Sequence, residues 1–335
     1  MLRSLLRRRK RHPETVGIHV GRGAMTVARV GSAKGKPCVL NVFSEALPRR
    51  PDEWPAERVA AFVRKARKAV PLQAASVTLT LASDLAATSF LDMPCLGADQ
   101  LAEAVALELD DVWKRESDRP ISYQFEILHS YPDRYRVFVA SIPMTRLRLI
   151  LTTFADAGCK IDAMEVETVS LANLLSATGA ADSAPLAVLD VGPTWGEIHI
   201  LKGDKVLLSR SVMKADVEEV SAGSPKGTTS NAGSTRTVPN GVLPTTRLPW
   251  IVQEAGKTLD YFEIELVAQP VERLFLMGES SQDARLPGML RDDLSLDVEL
   301  LNCGGALEDR TGDLDLPHHA LAVAAALSEG AGRAD

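Results

Sequence analysis

The sequence predicts an α/β protein of two similar lobes, and three observations carry that prediction. A strand–glycine turn–strand unit opens the chain as "VGIHVGRGAMTVARV" (16–30) and returns as "AVLDVGPTWGEIHIL" (187–201), matching in kind at most positions. Helical patterns follow strand pairs along the chain, the order expected of an α/β fold. A third apolar strand, "VERLFLMGES" (271–280), ends like the first two in a glycine turn.

The elements follow in order. Residues 16–30 and 36–47 read as strands joined by the small polar turn "GSAKGK". The segment "PDEWPAERVAAFVRKARKAV" opens with turn residues and continues as a basic amphipathic helix, with Ala60, Phe62, Val63, Ala66 and Val70 near one face. "ASVTLTLAS" (75–83) alternates as a strand and "SFLDMP" is a second, short one. "GADQLAEAVALELDDVW" is a helix with Asp99 as its expected N-cap and Glu103 in its first turn. "SYQFEIL" and "YRVFVASI" are paired strands. The helix "MTRLRLILTTFADAG" closes at Gly158, the strand "KIDAMEVE" follows, and the helix "TVSLANLLSATG" ends at Gly179.

After Pro185 the opening pattern restarts with three strands and glycine turns. Residues 221–246 are rich in Ser, Gly, Thr and Pro and nearly empty of apolar side chains, so they read as a flexible polar insert. Order resumes with the helix "LPWIVQEAGKTLDYFEIEL", the third glycine-ended strand, a helix and strand in "LPGMLRDDLSLDVELLN", and the small-residue helix "LPHHALAVAAALSEG". The organisation expected is a basic arm (1–13), a first lobe (14–184) and a second lobe (185–330) holding the insert.

Composition limits the function. A length of 335 residues suits two domains, and 45% hydrophobic with 24% charged residues supports packed cores. The net charge of −6 argues against nucleic acid as a partner. Cys38, Cys95, Cys159 and Cys303 show no metal-ligand spacing and read as buried or free thiols of a reducing compartment. No stretch approaches a membrane span, and no signal-peptide core follows the basic N-terminus, so a cytoplasmic location is expected. Arg7 to Arg11 is a run of five cations that suits either an anionic membrane surface or a solvated tail. His318-His319 reads as helix-end decoration, since neighbours on a helix point about 100° apart.

Glycine turns after strands can expose backbone N–H groups to phosphate oxygens. The candidate cofactor-binding residues are therefore Gly21, Arg22 and Gly23 in the first turn, Asp190, Gly192 and Thr194 in the second, and Gly278 in the third. Two duplicated lobes with such turns resemble the actin-like ATPase superfamily. "GIHVG" (17–21), "VLDVGPTWGEIHIL" (188–201), "VERLFLMGESS" (271–281), "FADAGCKIDAMEVETVSLAN" and "LDVELLN…HHALAVAAAL" together resemble the PilM family of type IV pilus assembly proteins, relatives of FtsA. The resemblance covers about residues 14–330 except the polar insert. It implies duplicated ribonuclease-H-like lobes with an FtsA-like inserted subdomain in the first, at about 75–157. It also implies a place on the inner-membrane platform of a pilus or secretion machine. There the family captures the cytoplasmic N-terminal peptide of a bitopic partner, PilN, between the inserted subdomain and the first lobe.

The resemblance departs at the chemistry. The family's opening acid in "GIDIG" is His19 here, and imidazole is a poor partner for hydrated Mg²⁺. Arg22, Gly23 and Ala24 replace the expected hydroxyl residues. Pro193 lacks an N–H, Trp195 is bulky, and Glu279 stands for the third turn's second glycine. Arg22 is the counter-argument, since a guanidinium can hold phosphate directly. The expectation is a degenerate cleft with no catalytic or metal-binding residue and no cofactor, weak ATP/Mg binding being the alternative. His19 then reads as a cleft histidine held by a hydrogen bond, and Asp190 as either a turn-stabilising carboxylate or a nucleotide-site remnant. The competing functions are an active Mg-ATPase of the same machinery, a sugar-kinase-like enzyme, and a GspL-like type II secretion component, which normally continues into a span.

Overall fold

The computed structural model describes residues 14–47, 54–72, 75–113, 120–180, 184–214, 249–266, 269–312 and 314–328. The basic arm with its run at 7–11 and the polar insert at 221–246 lie outside the described residues.

The first lobe opens with an antiparallel meander of β1 (Thr15–Val20), β2 (Ala24–Ala33) and β3 (Lys36–Ala46). Helix α1 (Ala56–Ala69) then returns the chain to β4 (Ser76–Leu81), which runs parallel to β1. The next stretch holds β5 (Ala87–Pro94), α2 (Ala98–Val112), β6 (Ile121–Ser130) and β7 (Arg134–Pro143), followed by α3 (Met144–Asp156), β8 (Ala163–Val166) and α4 (Glu167–Thr178). The second lobe repeats the meander with β9 (Leu186–Val191), β10 (Trp195–Lys202) and β11 (Lys205–Met213). It continues through α5 (Pro249–Tyr261), a π-helical turn (Phe262–Leu266), β12 (Arg273–Met277), α6 (Leu286–Leu294) and β13 (Asp297–Leu300). A two-residue strand β14 (Glu308–Asp309) and helix α7 (Leu316–Leu327) complete it.

The two main sheets share one order. The first runs β3-β2-β1-β4-β8, with β14 added beside β3, and the second runs β11-β10-β9-β12-β13. The repeat read from the sequence is therefore a repeat of topology. In each lobe the third strand is antiparallel to the second, and the fourth and fifth are parallel to the first.

Strand alternation sorts each sheet into two faces. In the first, Ile18 and Leu79 join α1 and α3 in one core through Phe62, Val63, Ile150 and Phe154. In the second, Ala187, Leu189, Ile198 and Ile200 pack on α5 and α6. The remaining faces look toward α4 and α7. Helix α7 crosses β1 so closely that a Cβ at Gly17 would collide with the Ala322 carbonyl and the Ala326 amide, which explains glycine there. The last helix in sequence thus lies on the first lobe's sheet, and it also touches β12 of the second. Its alanine-rich stretch is what allows this approach: Ala320, Ala322, Ala324 and Ala325 are fully buried.

The stretch expected as an insertion, 75–157, divides between two bodies of structure. Strand β4 pairs with β1 and β8 inside the first main sheet, and α3 packs on α1. Only β5, α2, β6 and β7 stand apart, as a three-stranded sheet of order β5-β7-β6 with its own small core of Met93, Leu101, Val105, Leu109, Val137 and Val139. The apolar alternation of β4 had no feature separating it from the next strand, so sequence alone could not sort them. Helix α2 begins two residues earlier than an Asp99 N-cap implies. Its N-cap is Gly97, which places Asp99 within the first turn and Glu103 beyond it. At α7, His318 Nδ1 pairs with the N-cap residue Asp315 at 3.0 Å.

No helix among the described residues is long and apolar enough to cross a membrane.

Candidate functional site

Three strand ends meet in the cleft between the lobes. The β1–β2 turn brings Gly21, Arg22 and Gly23. The β9–β10 turn brings Gly192 and follows Asp190, the penultimate residue of β9. The turn after β12 brings Gly278 and Glu279. Gly278 adopts φ +92°, and a Cβ there would collide with Asp190 Oδ1, so glycine satisfies both the backbone and the packing. Glu279 Oε2 lies 3.4 Å from the Cβ position of Gly23, which joins the third turn to the first. Thr194 is exposed at the turn tip, where its carbonyl accepts from the Lys214 N–H at 2.9 Å.

The centre of the cleft is Arg22. Its guanidinium leaves the first lobe's turn and donates to Ser83 Oγ at 2.7 Å and, across the cleft, to Ser211 Oγ at 2.6 Å. It also stands over the Trp195 ring, 5.1 Å from the centroid, and 3.4 Å from Met213 Sδ. Asp84 Oδ1 is 4.0 Å from its Nε. Ser83 in turn donates to Glu197 Oε2 at 2.8 Å. One first-lobe side chain is thereby fixed to three second-lobe residues: Trp195, Ser211 and Met213.

Behind Arg22 lies a buried acidic group that the sequence did not announce. Glu167, the first residue of α4, is hydrogen-bonded to His19 Nε2 through Oε1 at 2.7 Å. Burial raises the Glu167 carboxyl well above the usual range, and the neighbouring Glu197 adds to the rise. Burial likewise pushes Asp190 up to about 8, with Glu167 and Glu197 adding to the rise while His19 and Arg22 oppose it. Asp190 is 5% exposed and its Oδ1 has no hydrogen-bond partner. Deeper in the same layer, His199 Nδ1 sits 3.1 Å from both Thr168 Oγ1 and Ser209 Oγ, and burial lowers its pKa, keeping the ring neutral. Glu167, Glu197 and Ser83 carry no local motif. Glu197 and His199 do share the strand parity that aligns them with Asp190 and Val188 across β9 and β10.

A metal-bound polyphosphate requires free amide donors and oxygen ligands. The amides of the three strand-end glycines bond within the protein: Gly21 to the Ala24 carbonyl (2.9 Å), Gly192 to the Trp195 carbonyl (2.9 Å) and Gly278 to the Pro317 carbonyl (3.0 Å). The Trp195 ring occupies the space a Cβ on Gly192 would take. These atoms are a poor match to such a ligand. Among the described residues no group of three or more His, Cys, Asp or Glu side chains has metal-binding geometry.

Two lobes of one sheet order, facing each other across α4 and α7 with three strand-end turns between them, define the actin-like two-lobed fold. Within that class the structure is similar to a chain of the PilM–PilN type IV pilus biogenesis complex, at 18% identity and a TM-score of 0.72 over 95% of this chain and 99% of that one. Weaker similarities, at 11% identity, reach a Bacteroides thetaiotaomicron protein of actin-like ATPase fold and unknown function (TM-score 0.47; 91% of this chain and 94% of that one). They also reach the cytoplasmic domain of EpsL, an inner-membrane component of the type II secretion system of Vibrio cholerae (TM-score 0.49; 94% and 95%). No protein-family model and no curated protein matches the sequence.

Proposed function

We propose that this protein is a non-enzymatic actin-like scaffold of a type IV pilus or related secretion platform. In this reading it sits on the cytoplasmic side of the inner membrane and binds the N-terminal cytoplasmic peptide of a PilN-like bitopic protein. The observation that carries the reading is the end-to-end likeness to a chain of the PilM–PilN complex, inserted sheet included. The face of that sheet turned away from α2 carries Phe90 and Phe138, whose rings lie 5.4 Å apart, with Arg136 paired to Asp92 at 3.0 Å. Phe138 belongs to the first lobe's core and Phe90 packs against it, so the inserted sheet meets that lobe along this face, and the reading places the extended partner peptide at the edge of that junction.

In the same reading the cleft has exchanged its nucleotide for side chains. Arg22 supplies a fixed cation among Glu167, Glu197, Asp190 and Asp84, the place where a hydrated Mg²⁺ would otherwise balance charge. Trp195 covers the second turn. Nucleotide hydrolysis is lost, and the cleft holds the lobes in one arrangement. The basic run at 7–11 adds a peripheral contact with anionic lipid.

The test is direct binding. A labelled peptide of the first ~20 residues of the partner, encoded beside this protein, should bind with a dissociation constant of ~1 μM or tighter, near 8 kcal/mol of binding free energy. The intact pair should also co-purify. Absence of association at tens of micromolar would remove the partner assignment.

A further inference from the structure

Helix α1 is the most basic element in an acidic protein. Arg58, Arg64, Lys65, Arg67 and Lys68 all stand on its exposed side within eleven residues, against the single acid Glu57, while the whole chain carries −6. Its buried side is apolar (Val59, Phe62, Val63 and Ala66), so the cations are held on one face of a rigid helix. Within this face Lys65 pairs with Glu45 at 2.7 Å, and Arg67 donates to the Ala157 carbonyl at 3.3 Å. Arg64 and Lys68 occupy consecutive turns of the outermost stripe. With Ala61, Lys65 and Arg67 they line a shallow depression. A row of exposed cations held on one face of a rigid helix is what an anionic bilayer surface recognises.

A second observation indicates the same surface. Arg29 pairs with Glu14, at the start of the described chain, and donates to the Pro71 carbonyl at 3.0 Å, two residues beyond α1. Glu14, the first described residue, therefore lies near the segment that leaves the basic C-terminal turn of α1. Arg7 to Arg11 precede Glu14 by no more than seven residues, a tether of at most ~25 Å.

We propose that the outer face of α1 is a docking surface for anionic lipid headgroups, so that the first lobe lies with this helix against the membrane. This deepens the peripheral-membrane part of the proposed function but does not depend on the partner peptide or on the state of the cleft.

The experiment uses the full chain and vesicle flotation with phosphatidylcholine alone or with about one third phosphatidylglycerol. Binding should need the anionic lipid and should fade at ~0.5 M salt as screening shortens the field. Each cation near such a surface contributes about a five-fold factor in partitioning. Arg64→Gln with Lys68→Gln should therefore weaken binding about twenty-five-fold, without changing thermal stability or peptide affinity. A second variant, with residues 7–11 neutralised, should retain binding that the double change then removes. No binding to anionic vesicles overturns the proposal. So does binding that the double variant leaves intact, which would assign it to the N-terminal run alone. Double-variant-sensitive binding to polyglutamate without vesicle binding also overturns it, in favour of an acidic protein partner. If vesicles fail while the peptide binds, only the lipid surface is lost; the converse removes only the partner reading.

Discussion

Asp190→Asn is expected to stabilise the protein, by an amount that grows as the pH rises from about 4 to about 8. The carboxyl ionises near its ordinary value of 3.8 in the unfolded chain, but burial holds it up to about 8 in the folded one. Between those values the native state retains a proton that the unfolded state has released, so stability falls with rising pH and levels off above pH 8. At about 1.4 kcal/mol per pKa unit, the ionised carboxylate is unfavourable by on the order of 5 kcal/mol. Asparagine keeps the shape and carries no charge, so the variant avoids this loss. Urea denaturation of both proteins at pH 5 and pH 8.5 reads it as a gap that widens with pH. A variant less stable than the parent at pH 8.5 would mean that the ionised carboxylate makes a favourable contact, and would restore Asp190 as a candidate ligand for a cation.

Arg22→Ala should act in the opposite direction. The side chain is 13% exposed, donates to a serine on each side of the cleft and stacks over Trp195. Removing one member of a buried charge network leaves the others uncompensated, typically at 3–5 kcal/mol. Here the remaining members are Asp84 and Glu197, the latter reached through Ser83. Since Arg22 lowers the pKa of both Glu167 and Asp190, its loss should move both titrations upward and extend the decline of stability to higher pH. Arg22→Lys should recover part of the loss, because an ammonium cannot reach both serines in the planar geometry of a guanidinium. The two variants share a network, so their effects will not add. Urea denaturation at pH 7 checks the first statement. A loss under about 1 kcal/mol would show that the lobes are held elsewhere, by α4 and α7 alone.

The duplication was legible because it rests on backbone requirements. Gly17, Gly21, Gly192 and Gly278 mark places where the chain turns or another element comes close, and those needs show as glycines at fixed offsets from apolar strands. The three turns were therefore found, and Arg22 was singled out from its place in the first. What the residue does was not legible, since Ser83, Trp195, Ser211 and Glu197 lie 61 to 189 positions from it or are reached only through another side chain. Glu167 falls at the end of the strand expected as "KIDAMEVE", and nothing in that stretch marks it as buried. Its burial beneath His19 follows from the packing of α4 between two sheets, which no local window contains. The limits of the small sheet failed for a related reason. Whether β4 pairs with β1 or with β5 is decided by tertiary pairing, and both choices leave the same alternation in the sequence.

The claim that Arg22 and Trp195 stand where a nucleotide would bind is tested most directly by titrating the protein with Mg-ATP while following thermal unfolding and heat of binding. A ligand that binds only the native state at one hundred times its dissociation constant adds about 2.7 kcal/mol, a shift of several degrees. The expected result is no shift and no binding heat at millimolar Mg-ATP. A saturable shift that disappears in Asp190→Ala would contradict it and mark the cleft as a working nucleotide site.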